Sequence, residues 1–124
     1  MPRILVIDDS KDIRDLIQQI LMDAGYAVSV AGDGHEGLQL LRATHAEVVI
    51  TDIFMPNQDG IETIAQLKTE FPGTKIIAIS GGSKLVNTDS YSTTLREFGA
   101  HALLAKPFDP DELLRIVGTA LGKQ

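Results

Sequence analysis

The sequence contains no cysteine and no tryptophan, and only 5% of its 124 residues are aromatic. Without cysteine the chain can form neither disulfides nor thiolate metal sites, which excludes both as sources of stability or chemistry. Its apolar runs fall well short of the roughly 20 residues that span a bilayer, so we expect no contact with a membrane. The first residues enter a strand-like run at once, so we also expect no signal peptide and a cytoplasmic location.

Positive charge is scarce too. Eleven Lys and Arg residues stand against seventeen Asp and Glu residues, which gives a formal net charge of −6. Nucleic acids and anionic membrane surfaces attract clustered positive charge, so the chain is poorly suited to bind either of them directly. Its length and its 44% hydrophobic content are those of one ordinary globular domain, which we expect over residues 1–124.

What the sequence does contain is a regular alternation of short apolar runs with segments of helical period. The runs predict five strands, at residues 4–7, 27–30, 47–51, 75–79 and 102–104. The intervening segments predict helices, the fourth of them around Tyr91, Leu95 and Phe98, after a polar loop at residues 81–90. Strict alternation of this kind predicts an α/β fold with a parallel sheet, helices on both faces and right-handed crossovers.

Local signals mark the ends of the helices. Ser10 is a candidate N-cap for the first helix, and Gly25 is a candidate stop. Asp109, Pro110 and Glu112 predict the start of the last helix, with an Asp cap, a proline in the first turn and a glutamate in the capping-box position. These signals separate the helices from the ends of the strands, where we expect the functional groups.

Polar and ionisable residues follow four of the five predicted strands. They are Asp8 and Asp9 after the first strand, Asp52 after the third, Ser80 after the fourth and Lys106 after the fifth. Asp8 and Asp9 could be present only because acids at the start of a helix interact favourably with its dipole. This explanation does not apply to Asp52, which precedes a loop rather than a helix. Because the functional crevice of such a sheet lies outside the carboxyl ends of its strands, we expect these side chains to share one cleft.

Three carboxylates in one cleft repel each other unless a cation lies between them. Mg²⁺ prefers carboxylate, carbonyl and water oxygens, and Lys106 supplies a further positive charge. Such a site approaches neutrality and can accept a phosphoryl group, with a carboxylate as the nucleophile that forms an aspartyl phosphate. The metal, Lys106 and the Ser80 hydroxyl would then hold the oxygens of the transferred group.

Together these residues resemble a known family, the receiver domain of two-component response regulators. The resemblance covers essentially the whole chain and rests on groups in a fixed order: Asp8-Asp9, Asp52, Met55-Pro56 with Asp59-Gly60, Ser80, and Lys106-Pro107-Phe108. It implies a flavodoxin-like fold, a five-stranded doubly wound parallel sheet in the order 2-1-3-4-5. It also implies that Mg²⁺ is the cofactor.

The resemblance implies a role for each residue of the site. Asp52 is the expected phosphoacceptor, Ser80 the switch hydroxyl and Lys106 the phosphate contact. The expected metal ligands are Asp8, Asp9, Asp52 and the backbone carbonyl of Phe54.

The implied activity is that of a phosphoacceptor rather than a turnover enzyme. The domain would take its phosphoryl group from a sensor histidine kinase or a histidine phosphotransfer protein. It would then change its affinity for a protein partner, or act on an output domain outside this sequence. Two alternatives remain: a phosphorylation-independent interaction module of the same fold, and a phosphatase or phosphotransferase with an aspartyl intermediate. A phosphatase or phosphotransferase would need a second acid after Asp52 to protonate the leaving group, and Phe54 occupies that place.

Two features depart from the family pattern. Leu103 stands three residues before the lysine, where the family often has an aromatic residue that turns inward on phosphorylation. We interpret Leu103 as a core residue of the strand. The stretch between Ser80 and Lys106 is also longer than usual, with the excess in the loop at residues 81–90. The sequence leaves open whether this loop is a tolerated insertion or helps to select a partner.

Overall fold

The computed structural model describes residues 2–55, 58–81, 99–106 and 108–122. The predicted helix around Tyr91, Leu95 and Phe98 and most of the predicted loop at 81–90 lie outside these residues. The described chain forms one sheet of five parallel strands: β1 (Arg3–Ile7), β2 (Ala27–Ala31), β3 (Val48–Asp52), β4 (Lys75–Gly81) and β5 (Ala102–Lys106). Their spatial order is β2-β1-β3-β4-β5, which confirms the predicted order 2-1-3-4-5.

Four strands extend further toward their carboxyl ends than the apolar pattern predicts. β2 and β3 each end one residue later than expected, at Ala31 and Asp52, and β4 and β5 each run two residues further. Asp52 pairs with Ile79, and Gly81 pairs with Lys106. The pattern of side chains becomes polar before the backbone ladder ends, because ladder hydrogen bonds do not depend on side-chain type. Asp52 and Lys106 therefore lie in strands, which hold them more firmly than loops would.

Four helices are described: α1 (Lys11–Asp23), α2 (Gly34–Ala43), α3 (Gly60–Glu70) and α4 (Pro110–Ala120). The predicted caps are confirmed, since the side chains of Ser10 and Asp109 accept hydrogen bonds from backbone N–H groups in the first turns of α1 and α4. Gly25 follows α1 with a φ of 96°, a left-handed conformation that favours glycine. Among the described helices none is long and apolar enough to cross a bilayer.

The polar segment from Met55 to Gly60 is predicted as a loop, and this is wrong for four of its residues, Met55, Gln58, Asp59 and Gly60. Phe54–Met55 and Gln58–Asp59 form a short antiparallel pair before α3 begins at Gly60. Pairs of two residues are too short to show an alternating pattern, so periodicity cannot predict them.

Two apolar layers cover the two faces of the sheet, as predicted from the alternation. On one face α1 and α4 pack on β-strand side chains in a cluster that includes Ile4, Val6, Ile17, Leu21, Ile50, Ile77, Leu113 and Val117. On the other face α2 and α3 complete a cluster that includes Leu5, Ile7, Leu38, Leu41, Val49, Ile64, Leu67 and Ala78. Because both faces are buried, ionisable side chains are favoured only where the strands end.

Gly37 allows α2 to pack closely on β1. A Cβ atom at this position would overlap Cδ1 of Ile7 and would lie 2.8 Å from its Cγ1. Ile7 is fully buried and directly precedes Asp8. This close contact therefore lets α2 lie near β1 at the residue directly before Asp8.

We expect Gly37→Ala to lower the free energy of unfolding by about 1–3 kcal/mol, since overpacking against Ile7 outweighs the better helix propensity of alanine. Gly118→Ala is the matched control, because Gly118 lies in α4 with nothing within 4 Å of the added Cβ. It should raise the free energy of unfolding by about 0.5–1 kcal/mol. Urea denaturation measures both, and equal effects of the two substitutions would contradict this account of the packing.

Candidate functional site

Three acidic side chains meet at the carboxyl edge of the sheet. Asp8 directly follows β1, and Asp52 is the last residue of β3. Asp8, Asp9 and Asp52 each offer a carboxylate oxygen, and these oxygens all lie within 4.8 Å of one another. Asp8 is fully buried and Asp52 is 5% exposed, whereas Asp9 is exposed to solvent. The adjacency of β1 and β3 thus creates the cluster that was expected from the strand ends.

Lys106 connects the two buried acids. Its Nζ donates to Oδ2 of Asp52 at 2.9 Å and to Oδ2 of Asp8 at 3.4 Å. Lys106 lies on β5, which β4 separates from β3. Neighbouring strands are about 4.8 Å apart, so the long lysine side chain extends over β4 to reach these carboxylates.

The positive charge of Lys106 balances only part of the negative charge in the cluster. Burial raises the pKa of Asp8, and the charge of Asp52 raises it further, against the lowering effects of Lys106 and of the Ser10 N–H group. Burial lowers the pKa of Lys106, but hydrogen bonds and charge from Asp52 and Asp8 outweigh it, so the net pKa is raised and the ammonium stays charged. Three carboxylates and one ammonium leave two negative charges. The oxygen donors and this excess charge fit a hard divalent cation such as Mg²⁺.

Two hydrogen bonds of its backbone and one of its side chain hold Asp8 in place. Its N–H donates to the Ala31 carbonyl at 3.1 Å, and the Ser10 N–H donates to its Oδ1 at 2.9 Å. Its own carbonyl accepts a hydrogen bond from Nη1 of Arg14 at 2.9 Å. The turn from β1 into α1 is therefore tied to β2 and to the first part of α1.

Arg14 is a site-supporting residue that the sequence argument missed. A Cβ atom at Gly32 would lie 3.1 Å from Nη1 of Arg14, so the glycine at the end of β2 leaves room for the guanidinium. The available signal was positional: an arginine one turn into α1 lies next to the strand ends. No functional residue is predicted at the end of β2, because glycine carries no functional group.

Two other predicted site residues, Ser80 and Phe54, also lie in strands. Ser80 is the penultimate residue of β4 and pairs with Ala105, and Phe54 lies in the short antiparallel pair. For both, the structure describes the backbone and brings it to the edge that carries Asp52. Leu103 is partly buried and packs against the core beneath α2 and α3, which supports its interpretation as a core residue.

Comparison with known proteins agrees with this arrangement. The family model for the response regulator receiver domain matches residues 4–118. The chain belongs to the response regulator receiver family. This receiver domain is 35% identical to protein PilG of Pseudomonas aeruginosa over 114 residues, which cover 90% of this chain and 82% of PilG. The receiver fold is typical of signalling phosphoacceptors in two-component systems.

Solved structures share the fold closely. The receiver domain superposes on chemotaxis protein CheY4 of Vibrio cholerae with a TM-score of 0.89 and 30% identity, covering 97% of this chain and 98% of CheY4. Against the receiver domain of NtrX from Brucella abortus the TM-score is 0.88, with 29% identity and coverage of 98% and 99%.

Other relatives are longer than this receiver domain. Transcriptional regulatory protein DltR of Streptococcus agalactiae is 32% identical over 112 residues, which are 90% of this chain and 48% of DltR. The chain thus spans about half the length of DltR, and only 24% of the regulator NtrC of a Bradyrhizobium strain.

The raised pKa of Asp8 predicts a pH-dependent stability. The folded state binds this proton more tightly than the unfolded chain, so the contribution of Asp8 to stability falls as pH rises above 3.8 and through the raised pKa. In metal-free buffer we therefore expect the free energy of unfolding of the wild type, minus that of Asp8→Asn, to decrease from acidic to neutral pH. A difference for Asp8→Asn that stays constant with pH would contradict the assignment.

Proposed function

We propose that this receiver domain accepts a phosphoryl group on Asp52 within a two-component phosphorelay and thereby changes its affinity for a partner. The observation that carries the proposal is the contact of Lys106 Nζ with Asp52 Oδ2, at 2.9 Å, inside a cluster of three acids. A carboxylate without a chemical role would not need an ammonium group and two further carboxylates beside it. A carboxylate that receives a dianionic group needs cationic partners already in position.

The chemistry is an in-line displacement at phosphorus. A carboxylate oxygen of Asp52 attacks the phosphoryl group of a phosphohistidine, the new O–P bond forms, and the P–N bond breaks with its electron pair returning to the imidazole. Lys106 can follow the developing charge from the carboxylate to the phosphoryl oxygens, since its ammonium already lies beside Asp52. The Ser80 hydroxyl is proposed as a further donor to these oxygens.

The proposed metal ligands are Asp8, Asp9, Asp52 and the backbone carbonyl of Phe54. When bound, Mg²⁺ would neutralise charge on the attacking carboxylate and on the transferred group. Asp8 and Asp9 are suited to this role because the hydrogen bonds from Arg14 and Ser10 hold the turn that carries them.

Phosphorylation would act on partners through a shift between two conformations. The proposed switch runs from the loop after Ser80 to a surface made by the predicted helix around Tyr91, Leu95 and Phe98, the connection from β4 to β5 and the final helix, α4. The phosphoryl group must favour one conformation for the shift to occur. The phosphodonor would be a sensor histidine kinase or a histidine phosphotransfer protein, in the cytoplasm. The recipient would be a protein partner or an output domain, and no direct contact with nucleic acid or membrane is proposed. The domain would act as an acceptor and not as a turnover enzyme.

Incubation with acetyl phosphate and Mg²⁺ should add about 80 Da, the mass of one phosphoryl group, to the intact wild-type chain. Asp52→Asn should show no adduct, because the amide is not a nucleophile of comparable strength. Omission of Mg²⁺ should remove the adduct from the wild type as well. Intact-mass spectrometry measures all three samples, and an equal adduct on Asp52→Asn would refute the assignment of the acceptor.

Lys106→Ala should slow the formation of this adduct by about 10²- to 10³-fold, the usual cost of removing one charge-stabilising donor from such a site. Lys11→Ala is the control, since Lys11 is an exposed residue of α1 paired with Asp15 and carries the same charge. The rate is measured by mass spectrometry after circular dichroism has shown that both variants are folded. Unchanged rates in both variants would leave Lys106 without the proposed role.

A further inference from the structure

A second candidate site lies at the opposite end of the sheet. A cavity of about 300 Å³ opens where β4 and β5 begin, beside the last turns of α4. Lys75 is the first residue of β4, and Gly81, its last residue, pairs with Lys106. At about 3.3 Å per residue, some 20 Å of strand separates this cavity from the acidic cluster.

The cavity combines an apolar floor with a cationic rim. Ala102, Ile116 and Ala120 line it, and all three pack on the core beneath α1 and α4. Lys75 and Arg115 line the same cavity and are exposed. In the part of the chain that the structure describes, no acidic residue lines the cavity, and no carboxylate oxygen lies within 4.0 Å of either cation.

His101 adds a neutral hydrogen-bond donor to the cavity lining. Its ring Nδ1 accepts a hydrogen bond from the Ile76 N–H at 3.0 Å, so the proton of the neutral ring is on Nε2. Burial lowers the pKa of His101, and the nearby charges of Lys75 and Lys68 lower it further. The polar lining therefore contains the donors of Lys75, Arg115 and His101.

The end of α4 acts in the opposite direction. A helix C-terminus carries a partial charge of about −0.5, which disfavours an anion nearby. Two full positive charges on Lys75 and Arg115 exceed this partial charge. The charged residues that line the cavity in the described part of the chain are thus both cationic, although the whole chain has a formal net charge of −6.

We infer that this cavity, which we call the basal pocket, is a binding site for a small organic anion with a carboxylate or phosphate head and an apolar body. Lys75 and Arg115 would bind the head, and Ala102, Ile116 and Ala120 would contact the body. A volume of about 300 Å³ is at the lower end of the range for small-molecule sites, which suits a compact ligand. The inference does not depend on phosphorylation of Asp52.

The test uses the full chain, labelled with ¹⁵N, in metal-free buffer, with amide chemical shifts as the readout. Phenyl phosphate and benzoate serve as probes of the two head groups, inorganic phosphate as the head alone, and benzyl alcohol as the body alone. We expect saturable shifts at the amides of Ala102 and Ile116, with phenyl phosphate or benzoate binding in the millimolar range or tighter. Inorganic phosphate and benzyl alcohol should each bind more weakly than the better of the two aromatic anions.

Matched variants decide whether the basal pocket is responsible. Lys75→Ala and Arg115→Ala should each weaken binding by about fivefold, as expected for loss of one charge-assisted hydrogen bond at an exposed site. Lys11→Ala removes the same charge on α1 and should leave binding unchanged, and so should Asp52→Asn. Absence of saturable shifts, equal binding of inorganic phosphate, or shifts that survive both substitutions would overturn the inference. The exposed positions of Lys75 and Arg115 let both variants keep the fold, which the same spectra verify.

Discussion

One ammonium group between two buried carboxylates is the contact on which the carboxyl end of this receiver domain depends. Asp8 and Asp52 bring like charges into a region with little water, where their repulsion is far stronger than in solvent. Lys106 offsets that repulsion by donating to both. One lysine cannot balance three acids, so the cluster retains negative charge and attracts a cation. The same imbalance that costs stability in the absence of metal makes the site suited to Mg²⁺ and then to a phosphoryl group.

The remainder of the fold supports that contact because burial of both sheet faces disfavours charged groups except at the strand ends. Helices cover both faces of the sheet, so the three central strands, β1, β3 and β4, are apolar along most of their length and carry ionisable residues only at their ends. Gly37 lets α2 approach Ile7, which sets β1 in depth just before Asp8. Arg14 then binds the Asp8 carbonyl, with Gly32 leaving space for its guanidinium. Packing in the core thus helps to determine where the charged groups of the cluster lie.

The acidic cluster and the basal pocket lie at opposite ends of the sheet and carry charges of opposite sign, which the overall charge of −6 conceals. Acidic groups gather where the strands end, and Lys75 and Arg115 line the basal pocket where β4 and β5 begin. β4 and β5 connect the two regions, since β5 carries Lys106 at one end and begins beside His101 at the other. Phosphate chemistry at one end and anion binding at the other would therefore act on the same pair of strands.

The layer architecture, the helix caps and the set of residues at the strand ends can all be predicted from the sequence, because hydrophobic period and capping chemistry are local properties of the chain. The strand order came from family resemblance, since alternation alone does not state which strands are neighbours. The distances from Lys106 to Asp8 and Asp52, the support from Arg14 and the cavity shared by Lys75 and Arg115 come from the folded arrangement and could not be predicted. The contacts of Lys106 and the shared cavity of Lys75 and Arg115 depend on strand order and register, which bring together residues 40 or more positions apart in the chain. The contact of Arg14 spans only six positions and depends on the turn from β1 into α1.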